Sequence, residues 1–480
     1  MTLPGVRQPP AVEIFSCSNS LRYKEPSGPT GLYMRHQTPL LILLILCLCF
    51  SSVSAQQSLD ALIDREIAAL VATYKTLHAA PELSHHEEKT AAFFAKELRA
   101  LGYSVSERVG KYDRPEWTSY GVVAVMKNGA GPTVLVRTDL DGLPVAENTG
   151  LPYSSKVKAQ NDAGQEVSVM HACGHDIHIT TMLGTAKMLA SMRDRWQGTL
   201  VLIGQPAEET SNGAQAMLAD GLYSRFPKPD FVVAMHDSGD LEAGKVGYTA
   251  GYALASATSV NLKIRGIGGH GARPDSTKDP IVLAAQVVLG LQTLVSRENS
   301  PLDPAVITVG SIHGGTKHNI IPDEVNLQIT VRAYREEVRR KLLAGIARVA
   351  KGMALAAGIP DNLAPIVDVS AEGTPSTYND PALTERVASV FVRLLGQDNV
   401  VKTPPATVSE DFSRYSLEGH QIPTVIFWVG AVDPAKMKQS QETGLPLPSL
   451  HSALFAPLPE PTIRTGIKSM TSVILQLMKK

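Results

Sequence analysis

The sequence predicts an α/β protein with a smaller α+β domain inserted into it, and three observations carry this prediction. The first is a series of short apolar runs without polar alternation, as expected of strands buried on both faces. These runs occupy residues 121–127, 133–136, 199–203, 231–234 and 424–428. The second is that amphipathic stretches of helical length, such as 87–102 and 180–192, lie between the runs. Together they indicate an open α/β sheet covered by helices.

The third observation is a change of pattern between about 255 and 370. Strand and helix patterns follow one another there as β-α-β-β-α-β, which makes a complete small domain. Its predicted elements are 259–266, 279–297, 305–312, 325–334, 335–358 and 364–370. A helix near 379–395 then resumes the larger unit. We therefore predict one domain over 56–254 and 371–480, interrupted by the insertion 255–370.

Residues 34–55 have the three-part pattern of a secretory signal peptide: a short basic stretch, an apolar run at 40–50 and small residues ending at Ala55. The apolar run is shorter than the roughly 20 residues that a membrane span needs. We therefore expect cleavage after Ala55, with no stable membrane span afterwards, rather than an uncleaved anchor. Residues 1–33 lack periodicity, and Met34 is the expected start. The expected location is secreted or periplasmic.

Charge and cysteine content narrow the possible partners. The chain has 45 basic and 46 acidic side chains, a net charge of -1, so we expect neither nucleic acid nor an anionic membrane as a partner. Removal of residues 1–55 would also remove Cys17, Cys47 and Cys49, which leaves Cys173 as the single cysteine. A lone thiol in an exported protein cannot form an internal disulfide, so Cys173 needs another role.

Polar motifs follow three of the predicted strands: RTDLDGLP, QPAEE and MHD. Ligand sites of open α/β sheets lie beyond the carboxyl ends of strands. The sequence MHACGHD, which holds Cys173, is weak evidence alone, but together with these motifs it favours a site for zinc, cobalt, nickel or manganese. Two such ions typically lie about 3.5 to 4 Å apart, and a thiolate held by metal is no longer free. The candidate ligands are Cys173, His175, Glu209, His236 and His451.

Adjacent carboxylates at 208 and 209 suit two different roles. One of them can bind metal while its neighbour acts as the general base that takes a proton from water. His85 and His86 lie in a polar segment before a helix and are expected to be solvated. His178 is open between a ligand and a residue that orients one. Three further histidines are open between structural and substrate-facing roles: His78, His313 and His318.

These motifs, in their order along the chain, resemble the dinuclear-metal peptidase and aminoacylase family, and in particular its amidohydrolase branch. That branch includes hippurate hydrolase, indole-acetyl-amino-acid hydrolases and N-acetyl-diaminopimelate deacetylase. The resemblance covers nearly the whole chain after residue 55, through HAAPELS, RTDLDGLP, MHACGHD, QPAEE, GGHGARPD, GGTKHNIIPDEV, SEDF and LHSALF. It implies a phosphorylase/hydrolase-like catalytic α/β domain, a ferredoxin-like lid and dimerisation domain, and two divalent metal ions per subunit.

The resemblance also implies roles for individual residues. Glu208 is expected to be the base and Asp141 to orient a neighbouring ligand, while Asp139 stands where other branches have a metal histidine. In the lid, His270 is expected to polarise the substrate carbonyl, commonly across a dimer. Asn319 and Arg332 are expected to hold the substrate's carboxylate, for which a guanidinium fork is suited. The implied ligands are Cys173, His175, Glu209, His236 and His451, with Cys173 near both metals.

The expected activity is hydrolysis of N-acyl amino acids, small molecules with a free carboxylate, by a homodimer. A metallo-aminopeptidase or dipeptidase on the same fold is the main alternative. A thiol hydrolase that uses Cys173 would leave the glutamate pair and His451 without a role. A non-catalytic peptide-binding protein would be expected to lack Glu208 or a ligand. Ile177 and Asp237 depart from the residues common in the family, which bears on substrate shape and metal preference.

Overall fold

The computed structural model describes residues 58–417 and 419–480. The predicted leader, residues 1–55, lies outside the described residues. The described residues form strands β1 to β18, in chain order Ser104–Ser106, Val122–Asn128, Thr133–Asp139, Lys158–Gln160, Glu166–Ser168, Gly198–Gln205, Phe231–Glu242, Val246–Tyr248, Gly251–Leu254, Ser256–Arg265, Gly269–His270, Ala305–Gly314, Ile320–Ile321, Glu324–Ala333, Ile366–Thr374, Thr377–Asn379, Val400–Lys402 and Thr424–Val432.

The helices begin with α1, whose first turn is capped by the Ser58 side chain, which accepts a hydrogen bond from the amide of Ala61. Helices α1 to α10 are, in chain order, Leu59–His78, Glu88–Ala100, His175–Ser191, Gly213–Ala219, Leu222–Arg225, Pro280–Thr293, Glu336–Ala356, Pro381–Leu395, Pro434–Thr443 and Pro459–Leu477. The α6 helix continues as a π-helical segment over Leu294–Glu298.

The large sheet has eight strands in the order β1-β2-β6-β3-β7-β18-β8-β17. Strands β6, β3, β7 and β18 at its centre are mutually parallel. Both faces of β3 are buried: Val134 and Val136 join the core under helices α1, α2, α3, α8 and α10, and Leu135 joins the core on the other face. The predicted α/β sheet with strands buried on both faces is confirmed.

The second sheet has four strands in the order β12-β14-β10-β15 and runs from Ser256 to Thr374. Helices α6 and α7 cover one of its faces, and the core between them includes Val260, Leu262 and Ile264 of β10. The order of its main elements is the predicted β-α-β-β-α-β. The domain limits 255 and 370 stay a prediction, although this separate core supports them.

Strand β7 is longer than its apolar run suggested. The motif MHD was expected to follow a strand at 231–234, but β7 continues to Glu242, so His236 lies within it. The last pair between β3 and β7 is Arg137 with Ala234, whereas β18 still pairs with His236 through Trp428. His236 therefore lies two residues beyond the last pair with β3, in a part of β7 that, among the described strands, pairs only with β18. The side chain reaches the expected edge of the sheet.

Candidate active site

The five predicted metal ligands come together at the carboxyl edge of the central strands. The Cys173 Sγ lies at the centre, 3.2 Å from the His451 Nε2 and 3.6 Å from the His236 Nε2. The Glu209 carboxylate links His451 to His175, with one oxygen 3.5 Å from the His451 Nε2 and the other 3.8 Å from the His175 Nε2. Residues separated by as many as 278 positions therefore form one cluster.

Cys173 belongs to two neighbouring groups of potential ligand atoms. One group contains Cys173, His175 and His236, and the other contains Cys173, Glu209 and His451; within each group the atoms lie within 4.8 Å of one another. Cysteine, histidine and carboxylate together suit divalent zinc and its neighbours in the first transition row. Two groups that share a thiol have the arrangement needed to hold two ions side by side.

Unpartnered buried atoms in this cluster provide a test of whether a cation fits. The Nδ1 of His175 donates to the carbonyl of Asp141 at 2.8 Å, which leaves the Nε2 facing the cluster, buried and without a hydrogen-bond partner among the described residues. One Glu209 carboxylate oxygen is likewise buried without a hydrogen-bond partner among the described residues. Such groups are costly unless something binds them. The residues present therefore fit divalent cations.

Electrostatics at the cluster agree with that fit. Burial raises the pKa of the Glu209 carboxyl to about 8, despite the nearby His175. Burial, followed by the carboxylates of Glu209 and Glu208, raises the pKa of the Cys173 thiol. Burial is the main cause of both shifts and neighbouring carboxylates add to it, whereas bound cations would favour the charged forms of both groups.

Asp141 lies against two of the ligands. One of its carboxylate oxygens accepts hydrogen bonds from the Ser84 hydroxyl at 2.7 Å and from the Glu209 amide at 3.0 Å. Its other oxygen lies 3.2 Å from the Nδ1 of His175. Asp141 therefore contacts both Glu209 and His175, which fits the expectation that it orients a neighbouring ligand.

Glu208 follows β6 in a tight turn in which Ala207 has a φ of 50°, a left-handed conformation that is unusual for alanine. The side chain is buried, and its carboxylate lies 3.9 Å from the His175 Nε2. Burial, followed by Glu410 and Glu209, raises the pKa of the Glu208 carboxyl well above its usual range. A carboxylate beside a cation site is in a position for proton transfer.

The turn that presents Cys173 and His175 requires a glycine between them. Gly174 caps α3 with a φ of 74°, and a Cβ added to it would lie 2.3 Å from a carboxylate oxygen of Asp237. Neither the conformation nor the space admits a side chain. The close approach holds the Cys173 loop against β7.

His178 lies one turn beyond His175, and both of its ring nitrogens have partners. The Nδ1 is 2.7 Å from the Asp139 carboxylate, and the Nε2 is 3.1 Å from the Asp237 carboxylate. Burial opposes a charge on this ring, but Asp139 and Asp237 outweigh it and raise the pKa of His178 to about 9. His178 thus contacts two carboxylates beside the ligands, Asp139 and Asp237. Of the two roles that the sequence left open, ligand or residue that orients a ligand, this favours the second.

Arg137 is a residue of the site that the sequence analysis did not single out, although it begins the motif RTDLDGLP. It is buried, and its guanidinium donates to Asp139 at 2.6 Å, to Glu410 at 2.6 Å, to Gln205 at 3.0 Å and to Asp411 at 3.3 Å. A charged residue at the end of an otherwise apolar strand was the available signal. Arg137 joins β3 to the SEDF segment. Among the described residues it is the one cation hydrogen-bonded to all three of Asp139, Glu410 and Asp411.

The expectation that His85 is solvated is wrong. His85 is 4% exposed, stacks on Trp117 at 4.0 Å between ring centroids, and contacts Asp162 at 2.9 Å and Asn212 at 3.2 Å. Its φ of 67° is unusual for a residue with a Cβ. The aromatic loop that contains Trp117 covers it, and the polar local sequence gave no sign of that cover. His86, in contrast, has a half-exposed side chain, as expected.

A cleft of about 910 Å³ lies over the ligand cluster, between the large sheet and the inserted domain, called the lid below. The four-stranded sheet β12-β14-β10-β15 is the lid sheet. Its floor includes Cys173, Glu208 and His451. The helix-free face of the lid sheet forms the opposite wall, where Arg332 donates to the Ser409 hydroxyl at 2.8 Å. Of the three lid residues predicted for the site, only Arg332 lines the cleft.

His270 and Asn319 lie elsewhere on the lid. Both are exposed, and the amide of Gly271 donates to the carbonyl of Asn319 at 2.9 Å beside the pairing of β11 with β13. Neither is among the described residues that line the cleft of the same chain. Within one chain the structure therefore does not bring them to the ligand cluster.

The fold and the site together define a hydrolase that acts on amide or peptide C–N bonds and contains metal-binding clusters. The chain belongs to peptidase family M20/M25/M40, whose sequence pattern matches residues 135–450. The resemblance found in the motifs is thereby confirmed.

Known proteins of several activities are similar to this chain. The N-acetyl-L-cysteine deacetylase of Bacillus subtilis is 35% identical over 347 residues, which cover 72% of this chain and 77% of that protein. Thermostable carboxypeptidase 1 of Saccharolobus solfataricus is 34% identical over 365 residues, 75% of this chain and 86% of that protein. The crystal structure of the Bacillus subtilis YXEP protein, a dinuclear metal binding peptidase, has a TM-score of 0.68 at 27% identity and covers 86% of this chain and 99% of that one.

Proposed function

We propose that this protein is a metal-dependent amidohydrolase that cleaves N-acyl amino acids to a carboxylic acid and a free amino acid. The observation that carries the proposal is the cluster of two ligand groups sharing Cys173, with Glu208 beside it in a cleft that also contains Arg332. The similarity to a deacetylase of N-acetyl-L-cysteine supports this substrate class.

The ligands in this proposal are Cys173, His175, Glu209, His236 and His451, and they hold two divalent ions per subunit, drawn from zinc, manganese, cobalt and nickel. When bound, these ions make water a stronger acid and polarise the scissile carbonyl. The Asp141 carbonyl holds the His175 Nδ1–H, so the Nε2 is the nitrogen available to a cation.

Glu208 takes a proton from the attacking water and delivers it to the leaving amine. The turn after β6 places its carboxylate at the cleft floor beside the ligands, where it can hold the proton between the two transfers. Arg332 on the opposite wall binds the substrate's carboxylate, assisted by Asn319. His270 donates a hydrogen bond to the developing oxyanion.

Substrate class is tested by comparing N-acetyl and N-benzoyl amino acids with free dipeptides, each assayed with the four metals in turn. We expect the N-acyl amino acids to be hydrolysed with the higher kcat/KM. A matched set of N-acyl amino acid amides, which lack the carboxylate, should lose at least about tenfold because a charge-assisted hydrogen bond to Arg332 is removed. Faster cleavage of dipeptides would favour the metallo-aminopeptidase or dipeptidase alternative. The similarity to a protein named as a carboxypeptidase is the reason to include peptides in the assay.

A homodimer is the proposed working unit, with His270 reaching the cleft of the partner subunit. Strand β12 is an edge of the lid sheet, and apolar side chains are exposed on and near it: Ile312 is 54% exposed and Leu289 of α6 is 71% exposed. The segment Pro280–Glu298 is apolar and long enough to cross a membrane, but its buried face packs on the lid sheet. An unpaired strand edge beside an apolar helix face is suited to pairing with a second copy.

Mixing two inactive variants tests this arrangement. His270→Ala and Glu208→Gln subunits, unfolded together and refolded, should regain about a quarter of wild-type activity, because half of the dimers then contain one intact site out of two. Each variant refolded alone is the control. No recovery, once native mass spectrometry shows mixed dimers, would mean that His270 acts within its own chain or not at all.

Export is the last part of the proposal. We expect the native protein to begin at Gln56 after cleavage of the signal peptide at Ala55. Intact-mass measurement of the protein purified from its own cells and compartments checks this. Recovery of chains that retain residues 40–55 would contradict it.

A further inference from the structure

A second cavity, of about 780 Å³, lies where the chain passes between the two sheets. Its wall includes residues from both passages: Tyr252 and Ser256 on the way into the lid, and Pro375 and Ser376 on the way back. Among the described residues, this hinge cavity and the active-site cleft share no lining residue. It is therefore a separate site in contact with the two connections that set the position of the lid.

Strand β10 separates the hinge cavity from the cleft. Successive residues of a strand face opposite sides of the sheet. Ser256 lines the hinge cavity, whereas Ala257 and Ser259 line the cleft. A molecule in the hinge cavity would thus lie on the helix-covered side of the lid sheet, while substrate lies on the bare side.

The walls of the hinge cavity combine apolar surface with positive charge. Tyr252 and Tyr334 form a ring pair with centroids 6.2 Å apart. Among the described residues, three arginines line the cavity, against one acid, Glu336. That acid is already shared by two of them: Arg339 donates to both of its oxygens at 2.7 Å, and Arg340 donates to one at 2.9 Å.

The third arginine, Arg414, has an unmet donor. Its guanidinium donates to the carbonyl of Gly373, but its Nε is buried with no hydrogen-bond partner among the described residues. A buried N–H of a charged group that lacks an acceptor is unfavourable. An anion bound at the Arg414 guanidinium would offset the surplus of positive charge among the described lining residues.

We propose that the hinge cavity binds a small organic carboxylate with an apolar or aromatic body, and that its binding restrains the movement of the lid. The carboxylate meets the arginines, and the body lies against the tyrosines and against Leu218 and Leu417. The site does not depend on the proposed substrate. Under the proposed function, however, the released acid belongs to the same chemical class.

Calorimetric titration of the full protein with sodium benzoate, against sodium chloride at equal ionic strength, tests the site. Two saturable events are expected, one in the cleft and one in the hinge cavity. Arg340→Glu, which reverses a charge in the cavity, and Gln215→Trp, which adds bulk to its wall, should each weaken one event about tenfold or more and leave the other. Lys351→Glu on the same helix lies outside the cavity and should keep both events.

Inhibition of hydrolysis gives an independent readout. Benzoate should inhibit the wild type with a noncompetitive component, and the two cavity variants should retain only competitive inhibition. No binding event in the wild type, or binding that both cavity variants leave unchanged as Lys351→Glu does, would overturn the inference. Because the titration needs no turnover, failure of the proposed activity would leave this result readable.

Discussion

Glu208→Gln should lower turnover by about 10³ to 10⁴-fold while the metal content stays near that of the wild type. General-base contributions are typically about 10² to 10⁴-fold, and a group that both accepts and returns the proton lies at the upper end of that range. The substitution keeps the shape of the side chain and leaves all five proposed ligands in place. Steady-state kinetics and elemental analysis of the same dialysed sample measure both quantities.

Glu209→Gln is the matched comparison, since it changes the adjacent carboxylate in the same way. One Glu209 oxygen is buried without a partner and the other lies 3.5 Å from the His451 Nε2, so a neutral amide should bind cations more weakly. Metal content should fall after dialysis, and activity should partly return with excess metal. If Glu208→Gln loses metal and Glu209→Gln keeps it, the two assignments are exchanged. If neither change affects hydrolysis, the proposed mechanism is wrong.

Arg137→Met should reduce the free energy of unfolding by about 3 to 5 kcal/mol, the range found when one partner of a buried ion pair is removed. The guanidinium is fully buried and binds Asp139, Glu410 and Asp411, so its loss removes the one guanidinium that these three carboxylates share, and only Asp139 keeps a contact with His178. Arg348→Met is the control. Its exposed pair with Glu298 should contribute no more than about 1 kcal/mol. Denaturant unfolding followed by circular dichroism measures both variants.

The loss in Arg137→Met should be greater at pH 8 than at pH 5. Burial already raises the pKa of Asp411 to about 7, even though Arg137 lowers it. A carboxyl whose pKa is higher in the folded state than in the unfolded state is most favourable to folding at low pH, and this contribution is lost as the pH rises through the folded pKa. Without the arginine the pKa of Asp411 in the folded state rises further, so more stability is lost between pH 5 and pH 8. A variant as stable as Arg348→Met at both pH values would show that the network does not need its cation.

The burial of His85 and the network around Arg137 show where inference from sequence stopped. His85 lies in a polar segment, and its cover comes from Trp117 and Asp162, more than 30 and 70 positions further along the chain. Arg137 and Glu410 are 273 positions apart. Local patterns report the propensity of a segment, but they do not report which distant segment packs against it.

The sequence by itself determined the α/β sheet, the inserted α+β domain and the types of side chain that form the site. Apolar runs mark buried strands because burial on both faces removes every polar position, and residues at strand ends fall at one edge because parallel strands share a direction. Only the tertiary structure decided that Cys173 stands between two ligand groups, that β7 continues along β18 to His236 beyond its last pair with β3, and that His270 and Asn319 lie away from the cleft of their own chain. These are distances between side chains on separate elements, and they are fixed by how the sheets and loops pack rather than by the order of residues along any one of them.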